Sequence, residues 1–287
     1  MNSKSEPGAQ KIPVALSIAG SDSSAGAGIQ ADLKTFQAHN VYGLTAVTAV
    51  TAQNTQGVYA LQEVDPELVQ EQIFCLFRDM RIDAVKIGMV SSSGIIRAVA
   101  GALRQVQPGK VVLDPVMVSK SGHELLAPQA RQDLQQELFP LADIITPNLQ
   151  EAEALLQTSI SSLLEMQEAV GQLCSLGPAR VVLKGGHLQG SQAVDVYYDG
   201  HDLQQLRKEF VASRNTHGTG CTFSSAIAAC LARGDSWLQA VQGAKEYVYQ
   251  AIKHALPLGH GHGPTNHFYS FFQPGQGREP NGGRNAG

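Results

Sequence analysis

The stretch LSIAGSDSSAGAGIQADLKT, residues 16–35, opens as an apolar strand, passes into glycine, serine and alanine, and returns as an amphipathic helix. Small residues in such a loop let backbone N–H and C=O groups approach a ligand closely. A strand that feeds a helix in this way is the first half of a βαβ unit. The alternation continues through the chain: apolar runs at Val14–Ile18, Leu44–Ala52, Ala84–Ile87, Val111–Leu113, Ile144–Thr146 and Val181–Lys184 read as strands. Helices are read at Ile29–His39, Pro66–Met80, Gly94–Val106, Leu149–Gln157, Leu163–Leu176, Cys221–Arg233 and Trp237–His254. In the Cys221 helix, Phe223, Ala226, Ile227, Cys230 and Leu231 fall on one face. Ala193–Phe210, centred on Asp199-Gly200, reads as an antiparallel hairpin at a sheet edge. Glu63–Arg81 and Ser159–Arg180 carry no motif and are assigned to crossover helices. The pattern predicts an α/β fold with a mainly parallel sheet.

With 287 residues, no internal repeat and no linker before residue 257, the chain is expected to form one domain over residues 13–272, between flexible tails at 1–12 and 273–287. Its net charge of -4, from 21 Lys+Arg and 25 Asp+Glu without a long basic run, gives no footprint for nucleic acid or an acidic membrane surface. No apolar run reaches the roughly 18 residues a membrane span needs, so a cytoplasmic protein acting on small molecules is expected. Cys75, Cys174, Cys221 and Cys230 are scattered without metal-ligand spacing and read as reduced thiols.

Gly26–Ala31 fits the dinucleotide pattern G-x-G-x-x-G/A. Ser21–Ala25 separates it from the strand, however, and no Asp or Glu between Asp32 and Glu63 could hold a ribose, which argues against a dehydrogenase. Asp22 and Asp32 either offer carboxylates to a ligand or serve the chain itself, Asp22 as a turn cap and Asp32 as a solvated first-turn carboxylate. NTHGTGCTFSSAIAA, residues 215–229, leads a glycine-flanked loop into a helix, which makes an anion site of free N–H groups and helix dipole. It lacks the Lys-Ser/Thr ending of a P-loop. Cys221 in that positive mouth is expected to have its thiol pKa lowered from about 8.5 and to accept a proton; the alternative is a small buried apolar residue.

Further fragments fall where strands end, at LDPVMVSKSG, TPNLQEAEAL and LKGGH, and ligands of open α/β sheets bind outside the carboxyl ends of strands. Asn148 and Glu151, one helical turn apart, suit either a hydrated Mg²⁺ or a capping box. Lys184 could stand beside a transferring phosphate or be a surface lysine. Gln53 carries the donor and acceptor needed to read the edge of a heteroaromatic ring, or is a satisfied loop amide.

Taken in order, AGSDSSAGAGIQADLKTFQAHNVYG, TAVTAQNTQGV, KIGMVSS, LDPVMVSKSGHELL, TPNLQEAEAL, LKGGH, HGTGCTFSSAIAA and GHGHGPTNHF resemble the hydroxymethylpyrimidine/phosphomethylpyrimidine kinases of thiamin biosynthesis, a branch of the ribokinase superfamily. The resemblance covers about residues 13–272. It implies a three-layer α/β/α fold and phosphoryl transfer from MgATP to 4-amino-5-hydroxymethyl-2-methylpyrimidine, then to its monophosphate. It further implies a pyrimidine site of Gly20, Ala27, Asp32, Gln53, Met89 and Val116, in which the backbone of Gly20 and Ala27 does much of the binding. The implied anion hole is Gly218, Thr219, Gly220 and Cys221, with Cys221 as proton acceptor and Lys184 neutralising phosphate. Asp114, Asn148 and Glu151 would organise Mg²⁺, and a homodimer is expected. Ser24 and Ala25 stand where many relatives have other small residues, which leaves the loop's function intact and bears on substrate discrimination. A pyridoxal or pyridoxine kinase of the same superfamily and a non-catalytic pyrimidine-binding regulator are the competing readings.

Overall fold

The computed structural model describes residues 11–119, 122, 124–186 and 191–271. The expected tails fall almost wholly outside these residues. In chain order the elements are β1 (Val14–Asp22), α1 (Gly28–Ala38), β2 (Tyr42–Gln53), β3 (Val58–Glu63), α2 (Pro66–Asp79), β4 (Ala84–Ile87), α3 (Ser93–Val106), β5 (Val111–Leu113), α4 (Pro128–Asp133), β6 (Ile144–Ile145), α5 (Leu149–Leu156), α6 (Leu163–Cys174), β7 (Val181–Gly185), β8 (Gln192–Tyr198), β9 (Leu203–Glu209), α7 (Thr219–Arg233) and α8 (Trp237–Lys253).

The strands form one nine-stranded sheet in the order β3-β2-β1-β4-β5-β6-β7-β8-β9. From β2 to β7 the neighbours in that order run parallel. At the far edge β8 and β9 pair antiparallel, as the Asp199-Gly200 turn predicts. The near edge also carries an antiparallel strand, β3 on β2, which sequence periodicity does not reveal. Most β3 residues are exposed or only half-buried, so no apolar alternation marks the strand. Asn54 makes the turn that returns it, accepting Gln56 N–H at 2.8 Å and Gly57 N–H at 3.2 Å.

Alternation along the strands divides the core into two layers. Leu16, Ile18, Val85, Ile87, Val111, Leu113, Val181 and Leu183 pack against helices α2 to α6. Ala15, Ala84, Val112, Ile144 and Val182 face α1, α7 and α8. The period of two therefore puts Ser17, Lys86, Asp114 and Lys184 on the α7 side of the sheet. α7 is buried from Thr222 through Leu231, wedged between the sheet and its neighbours α1 and α8. A segment without a sequence prediction, α4 and the π and 3-10 turns of Leu134–Leu138 and Phe139–Leu141, buries Ala130, Leu134 and Leu138 at four-residue spacing.

Candidate active site

α7 starts two residues before the predicted Cys221, at Thr219, and this offset places Gly220 and Cys221 in its first turn. Gly218, at φ 80°, is the N-cap, and no side chain caps this end. A Cβ on Gly218 would collide with the carbonyl oxygen of Gly26, so only glycine lets the first loop touch the mouth of α7. The Thr219 hydroxyl donates to Thr216 O at 2.7 Å and the Thr222 hydroxyl to Gly218 O at 2.8 Å. Thr219 N–H bonds Thr216 O and Thr222 N–H bonds Gly218 O, so Gly220 and Cys221 carry the N–H groups of this uncapped turn that suit an anion.

Opposite that turn stands an ion pair. Lys184 Nζ lies 3.0 Å from Asp114 Oδ1, which also accepts the Thr146 hydroxyl at 2.9 Å. A Cβ on Gly220 would sit 3.3 Å from Asp114 Oδ2 and 3.4 Å from Lys184 Nζ, so the anion cradle opens directly onto this pair. Burial works to lower the Lys184 ammonium, but the Asp114 and Glu151 carboxylates outweigh it and hold the group above its ordinary range. Lys184 remains cationic at physiological pH.

Asn148 and Glu151 do form the capping box of α5. Asn148 Oδ1 accepts Glu151 N–H at 2.9 Å, and Glu151 Oε2 accepts Asn148 N–H at 2.8 Å. Asn148 thus acts first as a cap that orients Glu151. Burial pushes Glu151 up to about 7, against the attraction of Lys184. Among the described residues no group of three His, Cys, Asp or Glu side chains is placed to hold a bare metal ion.

Two sequence expectations are corrected. Asp32, which the resemblance assigns to the pyrimidine site, is not a solvated carboxylate. It is fully buried, bonded to Lys86 Nζ at 2.8 and 2.9 Å, and accepts the hydroxyls of Ser17 at 2.6 Å and Ser225 at 2.5 Å. Four hydrogen bonds from three side chains, on β1, β4 and α7, consume its acceptor capacity. The Cys221 thiol is not lowered either: burial pushes it up to about 11, outweighing the pull of Lys86 and of Gly28 N–H. Desolvation defeats the helix dipole here.

The pyrimidine-side residues come together around the first loop. Gly20, near the end of β1, lacks the Cβ that would overlap Met89, so the thioether lies against the strand. Thr48 holds the Met89 carbonyl at 2.7 Å. Gln53 is tied to the same loop through the Ser23 hydroxyl, which receives Gln53 N–H and donates to Gln53 O, both at 2.8 Å. Ala27 spends its N–H on Asp22 Oδ2 at 2.8 Å, so that donor is not offered to a ligand. Val116 is half-buried two residues beyond Asp114.

The sequence reading passed over His217 and Lys86. His217 Nε2 lies 2.8 Å from Asp22 Oδ2 and 3.4 Å from Gln53 Nε2, joining the first loop, the Gln53 strand end and the α7 loop. Asp22 proves to be the cap of its own turn, accepting Ser24 N–H at 2.8 Å as well as Ala27 N–H. Burial works to raise its carboxyl, but the bonds from His217 and Ser24 outweigh that and hold it below the ordinary range. An isolated lysine inside the apolar run AVKI was the available signal for Lys86.

The fold and this site at the carboxyl edge of its sheet place the chain among the ribokinase-like small-molecule kinases. A Bacillus subtilis pyridoxal kinase solved with ADP superposes with a TM-score of 0.83 at 41% identity, covering 90% of this chain and 98% of that one. The phosphomethylpyrimidine kinase of Clostridium difficile 630 has a TM-score of 0.75 at 45% identity, covering 84% and 100%. The family described as phosphomethylpyrimidine kinase matches residues 22–266, and the chain belongs to that family. The hydroxymethylpyrimidine/phosphomethylpyrimidine kinase of Rhizobium meliloti is 48% identical over 91% of this chain and 98% of its own length. The chain spans 51% of the thiamine biosynthesis bifunctional protein ThiED of Geobacter sulfurreducens, at 48% identity.

Proposed function

We propose that the protein transfers the γ-phosphoryl group of ATP to the hydroxymethyl oxygen of 4-amino-5-hydroxymethyl-2-methylpyrimidine, and then phosphorylates the monophosphate to the diphosphate in thiamin biosynthesis. The observation that carries this reading is the opening of the uncapped α7 turn onto the Asp114–Lys184 pair, on the same edge as Gln53, Met89 and Gly20. The acting unit is the single domain of residues 13–272.

Gly220 and Cys221 N–H groups receive the charge that spreads over the transferring phosphoryl oxygens, and Lys184 neutralises it from the facing side. Gln53 and Met89 seat the ring so that its hydroxymethyl oxygen meets the γ-phosphorus. Cys221 accepts the hydroxyl proton late, after the P–O bond to ADP has loosened. Its high thiol pKa makes the thiolate a strong acceptor but a scarce one.

Asp114 and Glu151 suit a hydrated Mg²⁺. They are buried carboxylates near one cation, and the burial that raises Glu151 would be relieved by a second positive charge. When bound, Mg²⁺ supplies charge neutralisation to the ATP phosphates. Asn148 holds Glu151 in place for it.

The likeness to solved pyridoxal kinases keeps a second alcohol in the test. A coupled assay for ADP with the pyrimidine alcohol, its monophosphate and pyridoxal decides. The reading requires turnover on both pyrimidines with kcat/KM above that on pyridoxal; binding without turnover would leave a regulator instead. A homodimer is part of the proposal, supported by the exposed Tyr42, Val50 and Tyr59 of β2 and β3, and light scattering tests it. Cytoplasmic operation is likewise proposed. No helix among the described residues is long and apolar enough to cross a membrane.

A further inference from the structure

Between α8 and the end of the described chain, the segment GHGHGPT, residues 259–265, touches both halves of the site. On one side it lies on the β2–β3 turn that follows Gln53. His262 N–H donates to Thr55 O at 2.8 Å and Gly261 N–H to Thr55 Oγ1 at 3.1 Å. On the other side it grips the loop that leads into α7. Arg214 donates to His260 O at 2.8 Å, Gly263 N–H to Asn215 Oδ1 at 3.2 Å, and His217 N–H to Gly263 O at 3.0 Å. A Cβ on Gly261 would strike the Thr55 carbonyl, so the approach is closer than any other residue allows.

We propose that this segment is a positioning strap that sets the span between the ring-reading Gln53 and the phosphate cradle at Gly218–Cys221. The inference rests on the kinase reading above and adds residues to it. The two halves meet where Gly218 packs against the Gly26 carbonyl and through His217, at 2.8 Å from Asp22 and 3.4 Å from Gln53, and the strap holds His217 by its backbone. In-line transfer tolerates little error in the separation of acceptor oxygen and γ-phosphorus, and a displacement of about 1 Å costs on the order of 10²-fold in rate. None of the strap residues need touch substrate.

Gly261→Ala tests this, with Gly171→Ala as control because a Cβ there meets nothing within 4 Å. The strap account expects kcat of Gly261→Ala to fall on the order of 10²-fold. Its affinities for an ATP analogue alone and for the pyrimidine alone, by calorimetry, should stay within about threefold of wild type. A kcat within about threefold of wild type, or binary affinities that fall as far as kcat/KM, overturns the proposal. Should Gly261→Ala fail to fold, Asn215→Ala, which removes only the Gly263 bond, is expected to show the same split on a smaller scale. Hydrogen exchange separates this question from substrate identity. Gly261→Ala should deprotect Asn54 N–H and Thr222 N–H together, even if no pyrimidine is turned over, and deprotection of one without the other sinks the strap.

Discussion

Replacing the proton acceptor and titrating it give the sharpest test of the chemistry. With the Cys221 thiol at about 11 in the folded protein, roughly 10⁻⁴ of the population is thiolate at pH 7, and that fraction rises about tenfold per pH unit. The phosphates of bound ATP add negative charge and push the thiol the same way. If the thiolate takes the hydroxyl proton, kcat under saturating ATP, Mg²⁺ and pyrimidine should climb about tenfold per pH unit between pH 7 and 9, until another step limits. Cys221→Ala should lower kcat by about 10² to 10⁴ and flatten the profile. Cys221→Asp, whose carboxyl is a far stronger acid than a thiol, should rise less steeply with pH than wild type and be faster than Cys221→Ala. Initial rates by coupled ADP detection, with coupling enzymes in excess at each pH, measure all three. A flat wild-type profile, or a Cys221→Ala kcat within about threefold of wild type, refutes the role given to Cys221.

Lys86→Met should strand the Asp32 carboxylate among apolar neighbours, since both side chains are wholly buried. Breaking such a pair costs about 3 to 5 kcal/mol, read as a lower urea midpoint, and Lys86→Met with Asp32→Asn should recover part of it. Lys184→Met is expected to lower kcat by about 10² to 10³ with a smaller change in KM for ATP, by steady-state kinetics. Stability should also fall with acid in a defined window. Burial, reinforced by Lys34 and His217, pushes His267 down to about 3, and its ring meets the Thr222 hydroxyl at 2.9 Å. The unfolded chain, with its histidine near 6.5, binds the extra proton between those values, so stability is full above about pH 6.5 and declines below it. From pH 7 to 5 the loss is about 2 kcal/mol. Urea titrations of wild type and His267→Gln at both pH values check this, the variant losing that increment.

Much of this was legible because the parallel strands are short β-branched runs and α7 carries an uninterrupted apolar face. Ala84–Ile87 and Val111–Leu113 fall on the predicted residues because both strands are buried on both faces. β3 was not legible, since its residues face solvent and no alternation is imposed on them. The Gly-Thr-Gly-Cys helix start announced an anion site, yet the state of its cysteine was misread. A helix dipole can be inferred from sequence, whereas desolvation depends on what the fold packs around the sulfur. The burial of Asp32 was hidden for a related reason: its partners Ser17, Lys86 and Ser225 are 15, 54 and 193 residues away. His217 sat inside a motif already singled out, but its link to Asp22 spans 195 residues and only the fold supplies it.

In the proposed reaction a phosphoryl group migrates at the first turn of α7 toward an alcohol seated by Gln53 and Met89. A crystal structure with a non-hydrolysable ATP analogue, Mg²⁺ and the pyrimidine alcohol tests it most directly. The terminal phosphate is expected within hydrogen-bond reach of Gly220 N–H, Cys221 N–H and Lys184 Nζ, with the hydroxymethyl oxygen in line behind it. A terminal phosphate bound away from Gly218–Cys221 would contradict it.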